Sequence, residues 1–269
     1  MKSAAYIFFA FLLLFPVAGC SYIGGSEKTV VQSQTEKVVP KDLKVVAIGD
    51  SLTQGVGDST NKGGYIPYLK KDLEKLKMVK SAEFQNYGIK GTRSDQLLER
   101  LKTRQMKSAI EKADMVFITI GGNDVMKILR DHFMDLNANV FLQEEKPYQQ
   151  RLLAIFKTIR QYNPHVGIVL IGIYNPFLEW FSDIREINQV IYHWNAASKQ
   201  VVKKFPHTVF VSIDDIFYRQ KENLLFNDHF HPNDQGYQLM ANRIYQTIKG
   251  RKLEELTNGK IVLEKEEKQ

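Results

Sequence analysis

The chain has 269 residues, 43% of them hydrophobic and 25% charged. That length and apolar content suffice for one large domain with a full core and exclude wholesale disorder. The formal charge of +7 favours an anionic neighbour, but the lysines are scattered and gather near the ends without interleaved aromatics. That arrangement argues against nucleic-acid binding.

The N-terminus, "MKSAAYIFFAFLLLFPVAGC", has Lys2, an apolar run from Ala4 to Ala18 and small residues before a cysteine. The run is shorter than the ~20 residues of a membrane-spanning helix and reads as an export signal over residues 1–19. Val17-Ala18-Gly19-Cys20 resembles the bacterial lipobox. The resemblance implies cleavage before Cys20, lipid attachment at its thiol, and a mature chain held on the extracytoplasmic face of the cell membrane. Cys20 is the only cysteine, so a disulfide within the chain is impossible. Residues 20–42 are polar, with Gly and Ser and no sustained period, as a tether would be.

Beyond the tether, residues 43–250 read as the folded domain. Short apolar runs predict strands at Lys44–Ile48, Glu83–Tyr87, Met115–Ile120, Gly167–Ile171 and Val209–Ile213. Several are continuously apolar, as strands buried on both faces are. Helical stripes lie between them: Ile66, Leu69, Leu73 and Leu76; then Leu152, Ile155, Phe156 and Ile159. A third runs from Ile184 through Ile187, Ile191, Trp194 and Val201 to Phe205, and a fourth from Tyr237 through Met240, Ala241 and Ile244 to Ile248. Alternation of strand and helix predicts an α/β protein with a five-stranded parallel sheet covered on both faces. His132–Tyr148 reads as an irregular insertion. The charge-rich residues 251–269 read as a tail that adds little to the core. His132, His165, His193 and His207 read as surface or boundary histidines.

Ligand chemistry in such sheets lies beyond the carboxyl ends of the strands, and the pattern breaks there. The first strand runs into Gly49-Asp50-Ser51-Leu52. The second is followed by "NYGIKGTRSD", Asn86 to Asp95, and the third by Gly121-Gly122-Asn123-Asp124. After the fifth comes "NDHFHPND", Asn227 to Asp234. A serine hydroxyl is a weak nucleophile near neutral pH unless a histidine takes its proton. The histidine in turn needs an acid to fix its tautomer. His231 and Asp228, three residues apart in one loop, supply that pair for Ser51. A developing oxyanion needs donors without bulk: the backbone N–H of Gly91, the side-chain amide of Asn123 and the N–H of Ser51 itself. Asp50 and Asp124 read as structural, the first shaping the turn and the second capping a helix or bracing the loop.

Gly49-Asp50-Ser51-Leu52, Asn86…Gly91, Gly121-Gly122-Asn123-Asp124 and Asp228-x-x-His231-Pro232 resemble, in order, the four blocks of the SGNH hydrolases, also called GDSL esterases and lipases. The lipid-anchored bacterial members are the most similar type. The resemblance implies a flavodoxin-like three-layer α/β/α sandwich with neither metal nor cofactor. It implies Ser51 as nucleophile, His231 as base and Asp228 as its partner, with Ser51, Gly91 and Asn123 as oxyanion donors. Arg93, directly after Gly91-Thr92, has no role in that scheme.

Rival readings fare worse. "GVGDSTNKGG" lacks the Gly-Lys-Ser/Thr of a phosphate loop, and no dinucleotide fingerprint follows the first strand. No Gly-x-Ser-x-Gly elbow exists for the other large α/β esterase class. A metal centre on His229 and His231 with Asp228 lacks an obvious third histidine. A non-catalytic envelope-binding lipoprotein would leave the full set of chemical parts unused. The expected activity is therefore hydrolysis of carboxylic esters by a monomer, the substrate being a small or lipid acyl ester or an acetylated wall glycan. Phe177, Trp180 and Phe181, within Tyr174–Asp183, either line an acyl site or cover the sheet.

Overall fold

The computed structural model describes residues 39–132, 138–175, 185–218 and 223–262. The strands are β1 (Lys41–Gly49), β2 (Val79–Gly88), β3 (Met115–Thr119), β4 (Gly167–Ile171) and β5 (Thr208–Val211). The first helices are α1 (Ser51–Gln54), α2 (Ile66–Leu73), α3 (Ser94–Leu101), α4 (Arg104–Glu111) and α5 (Gly122–Asp131). They are followed by α6 (Ala138–Tyr162), α7 (Arg185–Val202), α8 (Asp214–Tyr218), α9 (Asp234–Ile248) and α10 (Arg251–Leu256).

All five strands pair in parallel, in the order β2-β1-β3-β4-β5. Side chains alternate along a strand, and here the alternation divides two cores. Val45, Ala47, Met115, Phe117, Val169 and Ile171 join one core with the apolar faces of α2, α9 and α10. Val46, Ile48, Val116, Ile118, Ile168 and Leu170 join the other with α3, α4, α5, α6 and α7. The result is the expected α/β/α sandwich, with every strand's carboxyl end on one edge.

Three boundaries differ from the sequence reading. β1 begins at Lys41, so the domain reaches into the segment read as tether. β2 starts at Val79 rather than Glu83, because an edge strand needs only one buried face and its alternating polar residues hide the pattern. The region read as an insertion is largely the first half of α6, which continues through Pro147. The proline removes one backbone hydrogen bond, but Phe141, Tyr148 and Leu152 keep the same helix face buried.

The C-terminal segment is also corrected. Leu253, Leu256 and Ile261 are fully buried, each burial contributing about 1.5–3 kcal/mol before chain entropy is counted. α10 lies against the first residue of β4, where a Cβ on Gly167 would stand 2.2 Å from the Leu256 carbonyl oxygen. Lys260 Nζ pairs with Asp114 at 2.7 Å. The domain therefore extends to Ile261. Cys20, residues 1–19, read above as an export signal, and the aromatic residues Phe177, Trp180 and Phe181 lie outside the described residues.

Candidate active site

At the end of β1 the chain turns directly into α1. Asp50 is the N-cap, its Oδ1 accepting from Leu52 N–H at 3.1 Å. Ser51 is therefore the first helical residue, where a backbone N–H has no acceptor within the helix. Asp50 is itself buried, and its Oδ1 also accepts from Thr119 Oγ1 at 2.8 Å. Thr119 ends β3 and bonds onward to Thr53 Oγ1 at 2.8 Å, which meets Tyr65 Oη at 3.3 Å. Burial pushes the Asp50 carboxyl up to about 7, against the pull of its hydrogen bonds from Thr119 and Leu52. Sequence reasoning missed this hydroxyl chain. Its only signal is a threonine closing an otherwise apolar strand.

Ser51 and Asn123 line one cavity of about 610 Å³, part of it open to solvent. Ile120, Val125, Met126, Ile173 and Ile191 make much of its wall apolar, and Tyr174 and Phe230 also face it. Asn123 lies in the first turn of α5, its Nδ2 donating to the Thr92 carbonyl at 3.1 Å. That bond ties it to the turn after β2, where Gly91 sits at φ +80°. A Cβ at Gly91 would meet nothing within 4 Å, so conformation rather than space calls for glycine there. Arg93 finds its place two residues later: its N–H donates to Gln96 Oε1 at 3.0 Å at the start of α3, and its guanidinium pairs with Asp95 at 2.9 Å.

The Asp228–His231 loop closes on itself. His231 Nδ1 and Asp228 Oδ2 are 2.6 Å apart. Asp228 Oδ1 accepts from the N–H groups of His231 at 2.9 Å and Phe230 at 3.1 Å. Partial burial raises the Asp228 carboxyl, but the hydrogen bonds from the His231 ring and the two N–H groups outweigh it and hold it below its ordinary value. With Nδ1–H donated to a carboxylate, Nε2 is left as the basic nitrogen.

The start of α9, which follows this loop, is fastened to the turn after α1. Tyr237 Oη donates to the Val56 carbonyl at 2.7 Å, and Ser59 donates through its N–H and Oγ to Asp234 at 2.8 and 2.5 Å. Gly57, at φ +94°, permits the contact, since a Cβ there would lie 2.5 Å from the Pro232 carbonyl oxygen and 3.4 Å from His231 Cβ. From the other side, Tyr174 Oη donates to the Phe230 carbonyl at 2.5 Å. The structure thus gathers Ser51 and Asn123 on one cavity, links Gly91's turn to Asn123, and packs the His231 loop against Gly57, in the turn that follows α1. No hydrogen bond joins Ser51 Oγ to His231 among the described residues, and such bonds often tighten only when substrate is bound.

The sequence profile of the GDSL-like lipase/acylhydrolase family matches residues 47–239. The chain belongs to this family. As a GDSL-type protein it is a serine ester hydrolase, and its parallel sheet is that of GDSL hydrolases of known structure. YpmR of Bacillus subtilis (strain 168), described as uncharacterized, is 40% identical over 251 residues, covering 93% of this chain and 97% of its own. The spore germination lipase LipC of Bacillus licheniformis is 24% identical over 213 residues, 78% of this chain and 98% of its own. The crystal structure of the lipase Lip_vut3 from a goat rumen metagenome superposes with a TM-score of 0.70 at 24% identity. That match covers 78% of this chain and 99% of Lip_vut3.

Proposed function

We propose that the chain is a lipid-anchored serine acylhydrolase, acting as a monomer on lipid or other acyl esters at the outer face of the bacterial cell membrane. The observation that carries this reading is the pairing of an apolar cavity bearing Ser51 and Asn123 with an Asp228–His231 couple whose loop packs against Gly57, in the turn that follows α1. Ser51 Oγ attacks the ester carbonyl while His231 Nε2 takes its proton, and Asp228 holds the imidazolium in register. The oxyanion is met by the Ser51 and Gly91 N–H groups and by the Asn123 amide. One Asn123 N–H is engaged by Thr92, which leaves the other for the substrate. The carbon–oxygen bond to the alcohol breaks as His231 returns the proton to it. Water, deprotonated by His231, then releases the acid and restores Ser51.

The six aliphatic or methionine side chains on the cavity wall, Leu52 among them, suit an acyl chain better than an acetyl group alone. LipC, a lipase by name, supports the same direction. A fluorophosphonate probe tests the reading: one adduct is expected on the peptide containing Ser51, its formation slowed by a medium-chain ester and less by an acetyl ester. An adduct elsewhere, or none on folded protein, overturns it. The anchor has its own test. In a bacterial host, the parent protein is expected to incorporate labelled palmitate and Cys20→Ser to incorporate none, the acyl chains being the anchor at about 0.8 kcal/mol per buried methylene. An unlabelled parent, or a label kept by the variant, would remove the lipid from the proposal.

A further inference from the structure

We propose that Arg151, acting through Ser94 and Asp124, positions the oxyanion donors Gly91 and Asn123. The inference rests on the mechanism above and adds a residue on α6 to which no comparison assigns a role.

Asn123 and Asp124 are consecutive residues in the first turn of α5, and together they grip the segment that carries Gly91. Asn123 Nδ2 holds the Thr92 carbonyl at 3.1 Å. Asp124 Oδ2 accepts from Ser94 N–H at 2.9 Å and Asp124 Oδ1 from Ser94 Oγ at 2.5 Å. Gly91 has no side chain with which to fix itself and has open space around its Cβ position. The location of its N–H is therefore set by bonds to its neighbours: these on the Thr92–Ser94 side, with Lys90 N–H held by Gln54 Oε1 at 2.5 Å and Thr92 N–H by the Ile89 carbonyl at 3.2 Å.

The grip depends on a carboxylate with a 4% exposed side chain. Burial pushes the Asp124 carboxyl up, toward a neutral acid that would accept less strongly, while the Ser94 bonds and Arg151 oppose that drift. Arg151 Nε–H donates to Ser94 Oγ at 2.7 Å, and Arg151 Nη2 reaches Asp124 Oδ1 at 3.3 Å. With the guanidinium donating to it, the Ser94 hydroxyl must turn its own hydrogen toward Asp124. The relay runs one way, Arg151 to Ser94 to Asp124. Its origin is firm because Leu152 and Ile155, beside Arg151 on α6, are fully buried. Arg151 does not line the cavity, so it acts on the reaction only through the residues it holds.

Arg151→Ala is expected to lower kcat on a short aryl ester by about 10- to 100-fold, as small misplacements of catalytic groups do, with KM little changed. Arg151→Lys keeps the charge but lacks the fork and should fall between the two. The decisive readout is a double-mutant cycle, with thermal unfolding showing each variant folded at the assay temperature. If Arg151 works through the donors, Arg151→Ala costs much less in an Asn123→Ala background than in the parent. Equal losses in both backgrounds, or parental kcat in folded Arg151→Ala, overturn the proposal. Should Arg151→Ala fail to fold, Ser94→Ala and Arg151→Lys are read through the same cycle by the same criteria. Failure of the underlying mechanism looks different, since it shows as loss of the Ser51 adduct in the parent protein.

Discussion

Ser51→Ala is expected to lower kcat/KM on a short aryl ester by about 10⁴- to 10⁶-fold, the range seen when a serine nucleophile is removed from an intact site. No other group in the proposed mechanism forms the acyl-enzyme, so the residual rate reflects only substrate binding and the oxyanion donors. A second substitution, His231→Ala, should then cost almost nothing more, because a base without its nucleophile has no proton to take. Folding should be spared. Among the described residues Ser51 Oγ makes no hydrogen bond, so its removal orphans no buried partner, and the stability change at this buried position should stay within about 1 kcal/mol. Calorimetry beside the kinetics separates the two effects. Parental turnover in the folded variant would remove serine chemistry from this protein.

The second large effect is on stability and concerns Asp50. Its carboxyl is pushed from 3.8 up to about 7 by burial. Below pH 3.8 it is protonated in folded and unfolded chains alike, and its favourable contribution is fully present. As pH rises toward 7, the unfolded chain ionises first and the folded state does not, so stability falls by about 1.4 kcal/mol per pH unit. Above 7 the loss levels off, for a total of about 4 kcal/mol on this reckoning. Asp50→Asn keeps an oxygen for Leu52 N–H and Thr119 Oγ1 but does not titrate. The difference in unfolding free energy between variant and parent should therefore grow in the variant's favour from pH 4.5 to pH 8. Asp58 and Asp228, held low by their hydrogen bonds, slope the other way but cancel in that difference. A gap independent of pH would show that Asp50 is not the titrating group.

What the sequence made legible follows from how each feature is encoded. The central strands announce themselves because burial on both faces demands continuous apolar runs. The four blocks stand out because glycine, asparagine and acidic residues interrupt those runs at one end. β2 is half hidden because an edge strand alternates, and α6 because Pro147 and "EEK" look like a break when the buried stripe has heptad-like gaps. α10 was concealed by its charge, since Leu253, Leu256 and Ile261 are too few to register as a pattern. The Asp50–Thr119–Thr53 chain and the Arg151–Ser94–Asp124 relay could not be read at all. Each joins residues distant in sequence whose side chains are ordinary taken singly, and only the fold makes them neighbours.

The placement of α10 constrains how the molecule is assembled. Among the described residues β1 is the first strand and lies in the interior of the sheet, and Ile261 is the last buried side chain, joining the core with Leu253 and Leu256. A core that lacks Leu253, Leu256 and Ile261 is left with unfilled space beside Gly167, so its close packing waits on residues that follow every strand in the sequence.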